Sequence, residues 1–232
     1  MSFPYRSALI VGAGPGISAS VAARLRAEGV EVGVAARGLE KLRAPAAAIG
    51  AHAFAVDATS ARSVAALFDS AIAALGPLEI VLYNAGARVR GAIPELDPGK
   101  VEQALAANAF GGFLVAQQAA RHMLPRGFGA ILFTGATASV KGFAGSSAFA
   151  MGKFALRGLA QSAARELGPQ GIHVAHFIID GAVRSPSRPT LGDQPDSTLD
   201  PDAIAQTYLD VLRQPRSAWS QEIEVRPWIE RF

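Results

Sequence analysis

Short apolar runs alternate with helical stretches along the chain, and this alternation limits the possible folds more than any other feature. Runs such as SALIVG, VEVGVAAR and LEIVLYNAG have the length of single strands and are apolar at almost every position. Such strands are typical of a parallel sheet that is covered on both faces. The helical stretches between them supply the crossover connections that parallel strands require. The pattern predicts an α/β fold with a doubly wound parallel sheet of about seven strands.

Composition narrows the class of protein further. The chain has 232 residues, half of them hydrophobic, which favours one domain over residues 1–232. Its net charge is only +3 without a basic run, so we expect no nucleic-acid partner. The absence of cysteine and the scattered four histidines argue against a metal site. The sequence shows neither a signal peptide nor a membrane span, so we expect a soluble cytoplasmic protein.

A glycine-rich turn follows the first apolar run. In VGAGPGIS, Gly12, Gly14 and Gly16 precede a helix that begins at Ile17. Glycines let a pyrophosphate approach the helix N-terminus, where free N–H groups favour an anion. At this place in a βαβ unit, the turn predicts an NAD(P)-binding Rossmann domain, although glycines also serve packing alone.

The ends of the next two strands bear on the choice of cofactor. Arg37 ends the second strand, at the position where a carboxylate would favour NAD and an arginine can neutralise the 2′-phosphate of NADP. We therefore expect NADP(H) to be preferred over NAD(H). Asp57 ends the third strand and either contacts the adenine amino group or caps the next helix.

Three further motifs complete a pattern that runs through the chain. YNAG ends the fourth strand and contributes Asn84, Ala85 and Gly86; Asn108 lies in a long helix; and FAMGK ends at Lys153. In this order and spacing, they and the glycine turn resemble the classical short-chain dehydrogenase/reductase family. Here FAMGK takes the place of the family's Tyr-x-x-x-Lys.

The resemblance implies an oxidoreductase that transfers a hydride between a nicotinamide cofactor and a small-molecule substrate. The lysine would bind the nicotinamide ribose and lower the tyrosine pKa, and the asparagine would support a water relay. Tyrosine would exchange a proton with the substrate oxygen, and a serine would steady that oxygen. The resemblance also implies a homodimer or homotetramer that pairs through the long helices at residues 97–124 and 146–168.

Two of these functional groups are missing from the chain. Phe149 stands at the tyrosine position and Ala136 at the serine position, while Lys153 and Asn108 remain as the catalytic candidates. Phe149 and Lys153 are four residues apart and share one helix face. The combination resembles a subgroup of the family that carries Phe in place of Tyr.

The missing groups leave several functions open. Another donor could replace the tyrosine, and the candidates are Thr137, Ser139, Ser146, Ser147, Asp180 and the tyrosines Tyr5, Tyr83 and Tyr208. A cationic iminium substrate would need no acid at its heteroatom. We expect an atypical NADP(H)-dependent oxidoreductase acting on a small, largely apolar substrate and gated by a loop at residues 182–201. The alternative is a catalytically silent dinucleotide-binding protein with a regulatory or assembly role.

Overall fold

The computed structural model describes residues 3–185 and 196–229, and a parallel sheet runs through them. The sheet has seven strands within these residues: β1 (Ser7–Val11), β2 (Glu31–Ala36), β3 (His52–Ala55), β4 (Ile80–Tyr83), β5 (Gly129–Thr134), β6 (Ile172–Ile179) and β7 (Glu222–Val225). Their order is β3-β2-β1-β4-β5-β6-β7, and each neighbouring pair is parallel. This confirms the doubly wound parallel sheet and its Rossmann topology.

The helices of the described residues lie on the two faces of the sheet. They are α1 (Ile17–Ala27), α2 (Leu39–Ala48), α3 (Ala61–Leu75), α4 (Pro98–Leu105), α5 (Gly111–Met123), α6 (Ser147–Leu167) and α7 (Pro201–Leu212). Alternate residues of each strand point to opposite faces. Ala8 and Ile10 of β1 accordingly join the core under α1, α2 and α7, whereas Leu9 and Val11 join the core under α3, α5 and α6.

Strand order reverses between β1 and β4, and in open α/β sheets ligands generally bind at such a reversal. Chain connections leave β1 and β4 in opposite directions across the sheet, so a crevice opens beyond their carboxyl ends. The glycine turn follows β1 and the Asn-Ala-Gly motif follows β4. Both predicted motifs therefore border the same crevice.

The predicted long helix at residues 97–124 is divided. A π-helical segment, Ala106–Phe110, separates α4 from α5 and holds the buried Asn108. The Tyr83 hydroxyl donates a hydrogen bond to the Ala107 carbonyl at 2.6 Å. A Cβ at Gly111 would lie 2.4 Å from the same hydroxyl oxygen, so glycine permits this close approach to β4. π-Helical turns of this kind occur frequently at functional sites.

The loop predicted at residues 182–201 lies partly outside the described residues, at 186–195. Its described ends meet, because Val183 and Leu199 form a parallel bridge. Arg184 donates its backbone N–H to the Leu199 carbonyl at 2.8 Å and forms an ion pair with Asp200 at 2.6 Å. The gating role of the loop stays a prediction.

Candidate cofactor cleft and reaction pocket

The turn between β1 and α1 combines one crowded glycine with two open ones. Gly12 has a φ of +88°, and a Cβ there would lie 2.2 Å from the Ala85 nitrogen. A Cβ atom added at Gly14 or at Gly16 would have no heavy atom within 4 Å. No side chain caps the start of α1 at Gly16. The turn thus leaves space and N–H groups at the α1 N-terminus, and this fits the pyrophosphate of a dinucleotide.

Side chains behind the turn hold its shape. The Ser18 hydroxyl accepts a hydrogen bond from the Gly14 N–H at 3.0 Å and donates to the Gly14 carbonyl at 3.1 Å. The Asn84 amide donates to the Gly12 carbonyl at 3.2 Å. Asn84 therefore joins the end of β4 to the glycine turn by a hydrogen bond, and it also lines the cleft described next.

The predicted adenosine residues line a cleft of about 600 Å³. Arg37 and Asp57 both line it and are exposed to solvent. Hydrogen bonds from the Thr59 hydroxyl and N–H, and then the Arg37 charge, lower the pKa of Asp57. Ser60, whose hydroxyl accepts from the Ser63 N–H, is the N-cap of α3. The helix-capping alternative for Asp57 is therefore wrong, and the cationic Arg37 faces the cleft beside an ionised carboxylate.

Asn108 fixes the loop after β4. Its amide donates to the Ala87 carbonyl at 2.7 Å, and its Oδ1 accepts from the Ala87 N–H at 3.2 Å. Cβ atoms built at Gly86 and Gly152 would lie 2.9 Å from its Oδ1 and 2.5 Å from its Cβ. Asn108 thus contacts both the predicted cofactor loop and the helix of Lys153, and both of its amide atoms already have backbone partners.

Lys153 is a buried cation in a pocket next to the cleft, and Asn84 and Gly86 line both spaces. Its side chain is buried, and its Nζ donates a hydrogen bond to the Thr134 carbonyl at 2.7 Å. Burial, together with the charge of Arg88, lowers the pKa of Lys153 to about 8. A pocket of about 360 Å³ is lined by Lys153, Ala136 and Phe149, which groups these three predicted positions.

Arg88 was missed by the sequence reasoning. It lies two residues beyond the Asn-Ala-Gly motif, and its guanidinium carbon is 4.6 Å from the centroid of the Phe149 ring. The Lys153 Nζ is 5.8 Å from the same centroid. The phenyl ring that replaces the family's phenol is therefore bordered by two cations. An arginine so close after a cofactor-loop motif was the only available signal in the sequence.

A larger cavity of about 670 Å³ opens next to this pocket. Arg88, Ala136 and Phe149 line both spaces, and Arg90 lines only the larger one. Further lining residues are mostly apolar or small, namely Ala92, Ala138, Phe143, Ala144 and Ile179, together with the hydroxyl-bearing Thr137 and Ser146. This cavity has the position and the volume of a small-molecule site.

Most of the alternative proton donors are engaged elsewhere. Ser139 is fully buried and accepts a hydrogen bond from the Ala136 N–H at 3.1 Å. Asp180 is buried and forms an ion pair with Arg226 at 3.4 Å. Thr137 and Ser146 do line the larger cavity. A hydroxyl of either type is a weak acid, so neither reproduces the proton-donating role of a phenol.

The three tyrosines lie in the core. Burial raises the pKa of Tyr5 to about 12 and also raises the pKa values of Tyr83 and Tyr208. The Tyr83 hydroxyl is bound to the Ala107 carbonyl, and the Tyr208 hydroxyl lies 2.8 Å from the Thr134 hydroxyl. None of them is among the described residues that line the two reaction-side cavities.

The predicted site residues therefore lie along one continuous edge of the sheet. The turn Gly12–Ile17 and the residues Arg37, Asp57, Asn84, Ala85, Gly86, Asn108 and Lys153 border the crevice or support it directly. Within the described residues, no group of three acidic or histidine side chains is arranged to hold a metal ion. In the same part of the chain, no helix has the length and apolar character that crossing a membrane requires.

Comparison with known proteins agrees with this geometry. Residues 6–195 match the family model described as short chain dehydrogenase. The reductase MabA of Mycobacterium tuberculosis, a 3-oxoacyl-[acyl-carrier-protein] reductase, is 32% identical over 181 residues, which are 78% of this chain and 70% of MabA.

Solved structures show the same similarity over nearly the whole length. A short-chain dehydrogenase from Rhodopseudomonas palustris has a TM-score of 0.83 and 38% identity, covering 96% of this chain and 99% of its own. A metagenomic short-chain oxidoreductase in complex with NADP has a TM-score of 0.83 and 26% identity, covering 99% of this chain and all of its own. The chain therefore belongs to the short-chain dehydrogenase/reductase family of oxidoreductases.

Proposed function

We propose that residues 1–232 form a single NADP(H)-binding domain with oxidoreductase activity on a small, largely apolar substrate. The observation that carries this proposal is the position of Lys153. Its buried ammonium group lies at the meeting point of the cofactor-side crevice and the larger cavity, beside Gly86 and Phe149. Burying a charged lysine costs free energy, because desolvation disfavours its charged form, and we infer that hydrogen bonds to a bound cofactor offset this cost.

The cofactor residues follow from the same cleft. The turn Gly12–Ile17, with Gly14 and Gly16 open, would hold the pyrophosphate. Asn84, Ala85 and Gly86 would border the nicotinamide ribose. Lys153, which already donates one N–H to the Thr134 carbonyl, would donate a second to a ribose hydroxyl and keep the third for the substrate. Arg37 would pair with the 2′-phosphate, and Asp57 would accept from the adenine amino group. Bound NADPH supplies the hydride, and the metagenomic relative solved with NADP supports this assignment.

The remaining residues shape the reaction pocket. Phe149 and Ala136 present apolar surface where the family's tyrosine and serine stand, and so exclude water from the reacting carbon. Asn108 binds the backbone of Ala87 and packs against Gly152, so it fixes the position of the loop after β4 relative to the helix of Lys153. The buried cation of Lys153 in the adjoining pocket would repel an iminium ion, so we propose a substrate without a positive charge. The proton would come from Lys153, whose pKa of about 8 lies close to neutral pH.

A catalytically silent dinucleotide-binding protein is the second candidate. The observation that favours it is the combined absence of the phenol and the hydroxyl at Phe149 and Ala136. A general acid contributes about 10²–10⁴ in rate and an oxyanion donor about 10²–10³. A chain that lacks both could retain the cofactor cleft for binding alone.

We also propose that the protein assembles through α5 and α6. Phe110 and Phe113 stack with their ring centroids 6.2 Å apart and are exposed, as are Met151 and Phe154 on α6. The segments that carry them pack side by side. Large apolar side chains exposed together mark interaction surfaces, and here a second copy of the chain would cover them.

Restoring the missing groups tests the proposed activity. The double variant Ala136→Ser/Phe149→Tyr should reduce a small ketone with NADPH at least ~100-fold faster than the wild type, because it regains an acid and an oxyanion donor. The triple variant that adds Lys153→Met is the matched control and should lose this gain. NADPH binding without any gain in the double variant would instead support the silent alternative.

A further inference from the structure

We propose that His176 is a positioning residue for Lys153. Its imidazole joins the turn after β5, residues 134–139, to the carboxylate that holds the helix of Lys153 in place. His176 is not among the described residues that line the two reaction-side cavities, so it acts through its neighbours and not on a substrate. This inference rests on the proposed function, because Lys153 is the residue through which His176 would act.

The turn after β5 supplies the hydrogen-bond acceptor of Lys153. The Lys153 Nζ donates to the carbonyl of Thr134, the last residue of β5, at 2.7 Å. Two residues later, the Ala136 N–H donates to the Ser139 hydroxyl at 3.1 Å, and Ser139 is fully buried. Ser139 therefore fixes the backbone of this turn, and with it the methyl group that Ala136 presents to the pocket of Lys153.

His176 lies directly behind this turn and accepts the hydroxyl proton of Ser139. A Cβ at Gly135 would lie 2.4 Å from the His176 Nε2, so glycine permits the close approach. The Ser139 oxygen accepts from the Ala136 N–H and lies 3.4 Å from the same Nε2, to which its own O–H donates. Burial lowers the pKa of His176 to about 4, so the ring is neutral at neutral pH. Its single proton is then on Nδ1.

The Nδ1 side of the ring faces a carboxylate on β7. His176 and Glu222 are partners in the β6–β7 register, and the Nδ1 lies 3.7 Å from a Glu222 carboxylate oxygen. Within the described residues, this buried Nδ1 has no closer hydrogen-bond partner. A small shift of either side chain brings the pair to hydrogen-bond distance, and a buried N–H without an acceptor would cost free energy.

Glu222 in turn holds the face of α6 that carries Lys153. Its two carboxylate oxygens accept from the Nε and Nη2 of Arg157, both at 2.7 Å. Gln161 donates a further hydrogen bond, and these contacts lower the pKa of Glu222. Lys153, Arg157 and Gln161 follow each other at intervals of four residues and so share one helix face. His176 therefore links that face to the turn that supplies the acceptor of Lys153.

Nitrogen NMR of the imidazole rings tests this arrangement without a cofactor. Long-range ¹H–¹⁵N spectra of the ligand-free protein separate the two ring nitrogens of the four histidines, and loss of signals in His176→Gln assigns those of His176. We expect a neutral ring with its proton on Nδ1 between about pH 8 and about pH 5.5. A proton on Nε2, or titration near the ordinary pKa of 6.5, would overturn the inference.

The pKa of Lys153 shows whether His176 positions it. The pKa is measured from the ¹³Cε signals of the four lysines, with Lys153→Arg for assignment. His176→Leu removes both links, so water should reach the ammonium group and raise its pKa from about 8 by ~0.5 pH unit or more. Ser139→Ala, a smaller change that should still fold, should raise it in the same direction. His176→Gln keeps an acceptor and a donor and should stay close to the wild type.

His173→Leu is the matched control. His173 is also buried on β6, but its Nε2 donates to the Ser220 carbonyl at 2.9 Å and its ring stacks on Trp219, away from the pocket of Lys153. This variant should lose stability and leave the Lys153 pKa unchanged. Equal pKa changes in His173→Leu and His176→Leu would overturn the positioning role, and so would an unchanged pKa in both His176→Leu and Ser139→Ala.

Titration of the same variants with NADPH separates this inference from the proposed function. His176→Leu should bind NADPH about tenfold more weakly than the wild type, the loss of one hydrogen bond from Lys153, and His173→Leu should bind it like the wild type. Equal affinities of the wild type and His176→Leu would contradict the positioning role. A wild type that binds no NADPH would contradict the proposed function alone, because the Nδ1 proton and the change in the Lys153 pKa would still support the link through His176.

Discussion

Lys153 and Phe149 show how one substitution changes the surroundings of a retained residue. In the family that this chain belongs to, the lysine is expected to act on a phenol four residues earlier. Here the ring has no hydroxyl, and its face is occupied by Arg88 at 4.6 Å. Lys153 is left buried with the Thr134 carbonyl as its hydrogen-bond acceptor and a second cation nearby. We therefore propose the lysine itself as the proton donor of the reaction.

Burial of Lys153 leads to a pH-dependent stability. Its pKa is about 8 in the folded chain against an ordinary 10.5, so between these values the folded state binds fewer protons than the unfolded state. The free energy of unfolding therefore rises with pH over this range. From about pH 7 to about pH 9.5, the wild type should gain about 2 kcal/mol relative to Lys153→Met, at ~1.4 kcal/mol per pH unit.

Urea unfolding of both proteins at the two pH values measures this difference. The comparison cancels groups that titrate alike in both proteins. A stability difference that does not change with pH would show that Lys153 keeps an ordinary pKa and would remove it as a proton donor near neutral pH.

Contacts between residues close together in the chain could be predicted from the sequence. The i, i+4 spacing of Phe149 and Lys153 was sufficient to place both on one helix face. Arg88 could not be predicted, because its contact with Phe149 joins two segments about sixty residues apart. Asp57 was ambiguous for a local reason, since Asp57 and Ser60 are both residue types that cap helices and only the structure shows that Ser60 is the N-cap of α3.

The glycines of the β1–α1 turn differ in the backbone conformation and the crowding that each must accommodate. Gly12 carries both constraints, a positive φ and a close contact with Ala85, whereas Gly14 carries neither. The three glycines occupy alternate positions of the sequence, which does not distinguish their roles. The structure distinguishes them, because Ala85, which follows β4, crowds Gly12 and not Gly14.

Alanine at these two positions separates the roles. Gly12→Ala should lower the free energy of unfolding by ~2 kcal/mol or more, since its Cβ would lie 2.2 Å from the Ala85 nitrogen in a strained backbone conformation. Gly14→Ala has open space and should change stability by no more than ~0.5 kcal/mol. Thermal and denaturant unfolding check both, and equal effects would contradict the close contact.

The α4–α5 region shows which feature of a helix could not be predicted from the sequence, namely a local change of helix type. Helical periodicity predicted one helix over residues 97–124, and the ends agree to within a residue or two. The π-helical segment was not predictable from periodicity, because its partners are tertiary: the Tyr83 hydroxyl and the Ala87 backbone. A neighbouring strand and loop thus determine the local helix type around Asn108.

At the scale of the whole molecule, the sheet could be predicted almost entirely. Strands that are apolar at nearly every position, such as β5 and β6, are buried along their whole length on both faces. Alternation and crossover handedness predict a doubly wound sheet, whereas the order β3-β2-β1-β4-β5-β6-β7 is known from the structure. The charge of the reaction cavity could not be predicted, because the net charge of +3 says nothing about which cations face one space.

The exposed aromatic residues of α5 and α6 predict assembly. Light scattering after gel filtration should give at least twice the chain mass of 24.0 kDa for the wild type. Phe113→Glu places a charge in the proposed interface and should shift the protein to the mass of one chain. Ile93→Ser, at an exposed apolar residue outside these helices, is the matched control and should leave the mass unchanged. A wild type of single-chain mass would contradict the proposed assembly.

Cofactor binding is the central claim, and a thermal-shift titration with NADPH and NADH in parallel tests it most directly. A ligand at about 100 times its dissociation constant stabilises a protein by ~2.7 kcal/mol, which corresponds to a rise in Tm of roughly 5–10 °C for a chain of this size. We predict this shift with NADPH and a much smaller one with NADH, and we expect Arg37→Asp to abolish the preference. Equal shifts would contradict the role of Arg37, and the absence of any shift with either dinucleotide would contradict the cofactor cleft itself.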